Sequence, residues 1–317
     1  MAADSLDQRV GRIFESDRRN LASVRRRESL IFACLVACGM FSLAVTVAIL
    51  VVLVTQTVNF FGFEEVTVGN FFGSIRWNPL LGAEKSFGIW ALVSGTLMVT
   101  TIAMAIALPL GLITAVYLSE YAPSRVRSFL KPILEILAGI PTVVFGLFAL
   151  TNNTPSLRLI DERFMIFNAM SGGIAVGILC LPTVCSLAED ALQAVPKTLR
   201  EGAYGLGGTR FDAVMKVILP AALSGIVSAF LLAIARAVGE TMVVAIACGN
   251  SPQVTYDPRE QIQTMTGFMV QMATGDVSNY GIEYSSMYAV AGMLFLLTLS
   301  ITMVGTVVRK RFREAYE

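Results

Sequence analysis

An all-α polytopic membrane protein with six transmembrane helices is the fold class this sequence predicts, on three observations. Of its 317 residues, 55% are hydrophobic and only 15% charged, whereas soluble domains carry about a quarter charged. Apolar runs long enough to cross a bilayer, which takes about 20 residues, recur along the whole chain. None of them alternates residue by residue as a barrel strand would, so helices are the spanning structure available.

Five runs carry no charge at all: 30–54, 86–119, 136–157, 164–188 and 284–308. A sixth, 217–256, is interrupted only by Arg236 and Glu240. The first run is too long and too far from the N-terminus to be a cleaved signal peptide. Ahead of it, Leu6, Val10, Ile13, Phe14, Leu21 and Val24 recur at roughly helical spacing among seven arginines. Residues 1–28 are thus expected as a basic cytoplasmic segment, an amphipathic helix on the inner leaflet, although a solvated tail fits the same composition. Residues 29–317 are expected as one membrane domain, since neither a fixed-period repeat nor a low-complexity linker divides them.

Between the first two runs, Phe60, Phe61, Phe63, Phe71, Phe72 and Trp77 suit an interfacial aromatic belt. The second run holds Pro109 and Gly111, the third Gly139 and Pro141, and the fourth Pro182. Such breakers are tolerated in lipid where neighbours re-satisfy the backbone, often beside a pathway, but ordinary kinking explains any one of them. Residues 261–275 place Ile262, Met265, Phe268, Met269 and Met272 on one helical face. They are expected as an external amphipathic helix, with a re-entrant piece as the alternative.

Orientation follows from Lys and Arg in the connecting segments. Segments 1–28, 119–131, 190–216 and 309–317 hold seven, three, four and four basic residues. The alternate set, 56–87, 151–167 and 250–283, holds two, two and one. Both termini and the 190–216 loop are therefore expected in the cytoplasm.

Several classes of function fall away on composition. A net charge of +1 exerts no global pull on nucleic acid. The absence of histidine argues against a zinc site and an imidazole base. Cys34, Cys38, Cys180, Cys185 and Cys248 all lie in or beside apolar runs, where they act as small hydrophobes rather than a disulfide framework. No GxxxxGK[ST] occurs, so any nucleotide that drives this protein is hydrolysed by a partner.

The segment 190–220 reads DALQAVPKTLREGAYGLGGTRFDAVMKVILP. Pro196 suits a first helical turn, Gly205, Gly207 and Gly208 supply a stop, and Thr209 with Asp212 forms a capping-box pattern. A short helix, a glycine corner and a second helix feeding the fifth span are expected. Glycine costs about 1 kcal/mol inside a helix, so this exposed element is marginal alone and makes sense if a partner grips it.

Glu201-Gly202-Ala203, then Gly207, then Leu219-Pro220, resembles the EAA loop of ABC importer permeases, E-A-A-x3-G-x9-I-x-L-P. Gly202 and Val217 depart from it without altering the helix–corner–helix order. The segments WNPL (77–80), LPLGLITAVYLSEYAP (108–123), EILAGIPTVVFGLF (135–148) and ARAVGETMVVAIACGN (235–250) are similar to the C-type permease of phosphate-specific transport systems. The resemblance implies a type I ABC importer permease fold, with the loop at 196–220 serving as the coupling helix in a cleft of the ATPase. It implies an A-type permease partner, a pair of ATP-binding cassette subunits, a periplasmic phosphate-binding protein and a bacterial inner-membrane location. No cofactor would be bound by this chain, and ATP would be used by the partner ATPase.

Arg236 and Glu240 sit near the middle of the fifth run, where an unpaired charge costs at least about 2.5–3.5 kcal/mol. Four residues apart on one helix they would share a face and could neutralise each other. Mutual neutralisation is the bland reading; the preferred one is that this face lines the anion path. Arginine offers a planar fork of donors to an oxyanion, and a carboxylate can accept a hydrogen bond only from a ligand that carries a proton. Phosphate at neutral pH does, and sulfate does not. Glu135, Glu189 and Asp190 are given no transport role. Another small oxyanion such as molybdate or sulfate, an ion-coupled secondary transporter, and a membrane enzyme are the competing functions. The 190–220 loop counts against the carrier, and the lack of a clustered nucleophile and base counts against the enzyme.

Overall fold

Among the described residues are thirteen α-helices, three short π-helical segments and one pair of two-residue strands. The computed structural model describes residues 2–79, 85–275 and 281–313, with side chains described from residue 27 to residue 310 within those stretches. Helix α1 (Ala2–Phe60) contains the first span, 34 residues from Arg27 to Phe60. The backbone of residues 2–26 continues that same helix, while the side chains on which the expected amphipathic face depends lie outside the described ones. The chain divides into two units, Met1–Thr55 and Gln56–Glu317. The first is a single helix whose Leu30, Phe32, Met40 and Phe41 are all exposed. An all-round apolar surface of this kind is at home in lipid.

In the second unit, α2 (Val68–Gly73), β1 (Trp77–Asn78) and β2 (Ser86–Phe87) form a small cap ahead of α3 (Trp90–Val116). The strands pair antiparallel, Trp77 opposite Phe87. α3 runs through Pro109 without a break and widens into a π-type turn at Tyr117–Tyr121. α4 (Ser124–Gly139) and the following α5 (Thr142–Phe148) and α6 (Thr154–Ile160) form one apolar pair bent by 89°. The bend falls at Ile140–Pro141, the breaker read from the sequence, because proline removes a donor and disfavours helix at the residue before it. α7 (Ala169–Gln193) carries Pro182 within an unbroken helix. After α8 (Lys197–Gly205) and α9 (Arg210–Ala213), the chain enters α10 (Leu219–Val238), then α11 (Met242–Ala247), α12 (Met265–Thr274) and α13 (Ile282–Arg313). Among the described residues, five helices are long and apolar enough to span a membrane, or six when the bent pair is counted as one span.

Two expected surface features are interior ones. Phe60, Phe71 and Trp77, expected in an interfacial belt, are buried: Phe71 meets Phe60 and Trp77 edge-to-face, both of these meet Phe87, and Trp77 also meets Phe268. Within residues 261–275 only Met265–Thr274 form a helix, α12, and Met265, Phe268 and Met272 on it, with Ile262 just ahead of it, are buried in the protein instead of resting on its outside. Hydropathy registers that these positions leave water; it does not tell lipid from protein.

The centre of the unit is α7 packed along α3. In a bilayer, helix association depends on close van der Waals approach, which small residues permit. A Cβ on Gly173 would stand 2.6 Å from the Ile102 side chain, and one on Gly177 would stand 3.0 Å from the Ala103 carbonyl oxygen. Thr96 and Thr100, buried on α3, donate back to the carbonyls of Leu92 and Thr96 at 2.9 and 2.7 Å, so no hydroxyl is stranded there.

Beyond the spanning helices, Arg259 donates to both Asp257 oxygens and, at 2.9 Å, to Asp161. Those hydrogen bonds hold the Asp257 carboxyl down to about 2. The cluster pins the 161–170 segment to 258–260, where Met165 and Ala169 amides donate to the carbonyls of Arg259 and Glu260.

Gly177→Leu tests the α3–α7 contact. Overpacking costs about 1–3 kcal/mol, so the detergent-purified protein should lose thermal stability and folded yield. An unchanged melting temperature would show that the two helices do not need this approach.

Candidate functional site

The fifth apolar run is not one helix. α10 stops at Val238, Gly239 takes the C-cap, and α11 starts only after Thr241. The mutual pairing that one helix face would have allowed Arg236 and Glu240 is therefore not made. They lie on either side of a break, and no ion pair joins them.

Each charge is instead settled at a helix end. Arg236 occupies the last turn of α10, where the free carbonyls favour a cation. Its Nη1 donates to Thr183 Oγ1 of α7 at 3.3 Å. Glu240 precedes α11, and its Oε1 accepts from the Val243 amide at 3.3 Å, where free N–H groups favour an anion. The backbone opened by the break is covered by hydroxyls. Thr266 Oγ1 donates to the Glu240 carbonyl at 2.6 Å, and Thr241 Oγ1 donates to that of Gly239 at 3.1 Å. A break at membrane depth is tolerated under that condition.

Arg236 is exposed at the surface of the chain and Glu240 is half-buried. Among the described residues, the other guanidinium nitrogens and the second carboxylate oxygen have no protein partner. A donor fork and an acceptor oxygen thus remain unused within one helix break.

A cleft of about 160 Å³ between α4 and α7 contains Thr183 and Ser186 at one side and Lys131, Glu135 and Glu189 at the other. Glu189 is 1% exposed. Its Oε1 accepts from Arg127 Nη2 at 2.6 Å and Gln193 Nε2 at 2.8 Å, and its Oε2 lies 3.6 Å from Lys131 Nζ. The sequence reading gave Glu189 no role. Arg127 and Lys131, four apart on α4, were the available signal for a buried acid, but nothing in one sequence says which acid they meet.

The loop at 196–220 has the expected order. α8 contains Glu201, Gly202 and Ala203, of which Glu201 and Gly202 are exposed. Gly207 adopts φ +80. Its amide donates to the Tyr204 carbonyl and that of Gly208 to the Ala203 carbonyl, the hydrogen-bond pair of a Schellman cap with glycine at the left-handed position. Thr209 and Asp212 close the capping box, side chain to backbone in both directions. Leu219 and Pro220 open α10. Between residues 199 and 211, Leu199, Tyr204, Leu206 and Phe211 are exposed, Leu206 by 92%. Grouped apolar exposure on a polar loop marks a surface for another protein.

Residues 107–314 match the model of the binding-protein-dependent transport system inner membrane component family. The chain belongs to that family. It is 30% identical over 292 residues to the probable ABC transporter permease protein YqgH of Bacillus subtilis, covering 92% of each chain. It is 30% identical over 271 residues to the phosphate transport system permease protein PstC of Mesorhizobium japonicum, 78% of this chain and 79% of that one. A crystal structure of a bacterial ABC transporter that imports the polysaccharide alginate shares the fold, with a TM-score of 0.65 at 14% identity over 92% of this chain and 99% of that one. The chain is therefore a multi-pass permease component of an ABC importer, with the fold of that class, and ATP hydrolysis belongs to another component. Membership sets aside the ion-coupled carrier and the membrane enzyme.

At Gly207 a Cβ would meet nothing within 4 Å, so any cost of substitution there is conformational and not steric. Gly207→Val should loosen the corner, read as faster hydrogen exchange at the Gly208 amide, while Gly207→Asn, which tolerates the left-handed region, should change it far less. Equal protection in the two variants would contradict that account.

Proposed function

We propose that this chain is a permease subunit for inorganic phosphate, importing it across the bacterial inner membrane with both termini in the cytoplasm. An A-type permease, an ATPase pair seated on the 196–220 loop and an external phosphate-binding protein complete the importer. The observation that carries the reading is that Arg236 keeps donors and Glu240 keeps an oxygen without a protein partner, on the two sides of a break in a spanning helix. Turned to lipid, such a guanidinium would cost at least about 2.5–3.5 kcal/mol. Facing a watery path shared with a second permease subunit, it attracts an anion.

Both signs of charge suit phosphate. The fork holds two oxygens in one plane, and Glu240 accepts from a phosphate hydroxyl. Sulfate has no such proton and would meet only repulsion there. The PstC relative supports the same cargo. On the coupling side, Glu201, Gly202, Ala203 and Gly207 form the gripped helix and its corner, and Leu219-Pro220 passes its movement into α10. Closure of the ATPases would shift this helix and switch the path between outward- and inward-facing forms.

Orientation is checked with single cysteines in a version lacking the native five. Arg76→Cys should react with an impermeant thiol reagent from outside the cell, and Lys197→Cys only after permeabilisation. Labelling at residue 197 in intact cells would invert the topology and remove the ATPase from the loop.

The path is checked with the double variant Arg236→Gln with Glu240→Gln in proteoliposomes holding the whole importer. It should assemble and hydrolyse ATP, yet import phosphate at least about tenfold more slowly, one charge-assisted hydrogen bond being worth about 1.5–3 kcal/mol. Uptake near the parent rate would take both residues out of the path, and uptake of sulfate or molybdate by the parent in preference to phosphate would change the cargo.

A further inference from the structure

α8 has no buried residue, yet one of its side chains reaches deep into the rest of the chain. Arg200 is four-fifths buried, and its Nη2 donates at 2.6 Å to the Leu192 carbonyl in the last turn of α7. The same nitrogen lies 3.1 Å from Oε1 of Glu120, a 7% exposed carboxylate on the π-type turn that ends α3. Glu120 is fixed in turn by Ser119 Oγ, which donates to it at 2.9 Å. One guanidinium therefore ties the exposed helix to the ends of both members of the helix pair with the most extensive contact among the described residues.

That pair also reaches the candidate path. Leu192 lies nine residues beyond Thr183 on the unbroken α7, about 13 Å along the axis at 1.5 Å per residue. Thr183 is the hydroxyl that receives Arg236. Because Gly173 and Gly177 let α3 and α7 touch at near-backbone distance, there is little slack between them to absorb a displacement. A pull on Arg200 is therefore carried to Arg236 along a single rigid helix.

We propose that Arg200 is a positioning residue that couples α8 to the translocation path, through Glu120 on α3 and the Leu192 carbonyl on α7. When the ATPases move α8, the α3–α7 pair moves with it, and Thr183 shifts beneath Arg236. The inference rests on the reading of α8 as the gripped helix, but it does not depend on what the cargo is. Removing a member of a buried ion pair strands the other charge, so loss of function in one variant would not distinguish coupling from simple stability. A ratio does. A residue needed only for folding lowers hydrolysis and import together, whereas a coupling residue lowers the import obtained per ATP.

The test uses the complete importer in proteoliposomes, with a reporter thiol at Ser186→Cys in the version lacking native cysteines. Ser186 is exposed in the α4–α7 cleft. In the parent, vanadate trapping with ATP should change the reporter's reaction rate with a thiol reagent. In Arg200→Gln, ATP hydrolysis should stay within about twofold of the parent, phosphate imported per ATP should fall about tenfold, and the reporter should no longer respond to ATP, changes at the upper end of what coupling residues show. The exchange Arg200→Glu with Glu120→Arg should recover part of the ratio and of the response. An Arg200→Gln importer whose ratio and reporter response match the parent would overturn the proposal. If that variant fails to assemble, Glu120→Ala takes its place, because it removes the α3 anchor and leaves Arg200 its Leu192 carbonyl. An unchanged ratio and response there would be equally fatal. A parent that imports no phosphate but shows the ATP-dependent change at the reporter would refute the cargo and leave the coupling route standing.

Discussion

The close contact between α3 and α7 is the constraint on which the rest of this molecule depends. Lipid tails are as apolar as leucine, so helices in a bilayer gain little by hiding side chains from it and must gain by fitting. Gly173 and Gly177 provide that fit against Ile102 and Ala103. Once α7 is fixed, so is every polar group along it that matters elsewhere. Thr183 meets Arg236, Glu189 meets Arg127 and Lys131, and the Leu192 carbonyl meets Arg200. The glycine face thus decides the register of three separate charged contacts.

The break after Val238 is a second constraint, and it explains why opposite charges so close in sequence leave each other alone. An unbroken helix would have stacked Arg236 and Glu240 one turn apart. Ending the helix gives each a helix terminus of suitable sign, one of carbonyls and one of N–H groups. Neither has to neutralise the other, so each keeps hydrogen-bonding capacity for a ligand. A mutually satisfied pair would be the more stable arrangement in isolation and the less useful one for holding an anion that must later leave.

The parts of the fold that follow from local rules could be read directly from the residues. Apolar runs gave the spans, Pro141 gave the bend between α4 and α5, and Gly207, Thr209 and Asp212 gave the corner and its cap. The departures have three causes. Phe60, Phe71, Trp77 and α12 were assigned to the outside because hydropathy does not say whether the apolar neighbour is lipid or protein. The i,i+4 argument for Arg236 and Glu240 assumed a helix that Gly239 ends. Glu189 and Arg200 were passed over because their partners lie 58 to 80 positions away, a separation on which periodicity is silent.

The coupling loop and the helix it pulls differ in stiffness for a mechanical reason. α8 is short, interrupted by glycine and without a buried residue, so it follows whatever holds it at little energetic cost. α7 is 25 residues long, packed on several sides, and passes through Pro182 without opening. A soft handle on a stiff rod transmits displacement, whereas a soft rod would dissipate it in local bending and a stiff handle would resist being seized. Arg200 sits where the two meet, and one nitrogen of its rigid planar group, Nη2, meets both acceptors. A lysine there would offer a point charge on a flexible stem, and the handle would swing before the rod moved.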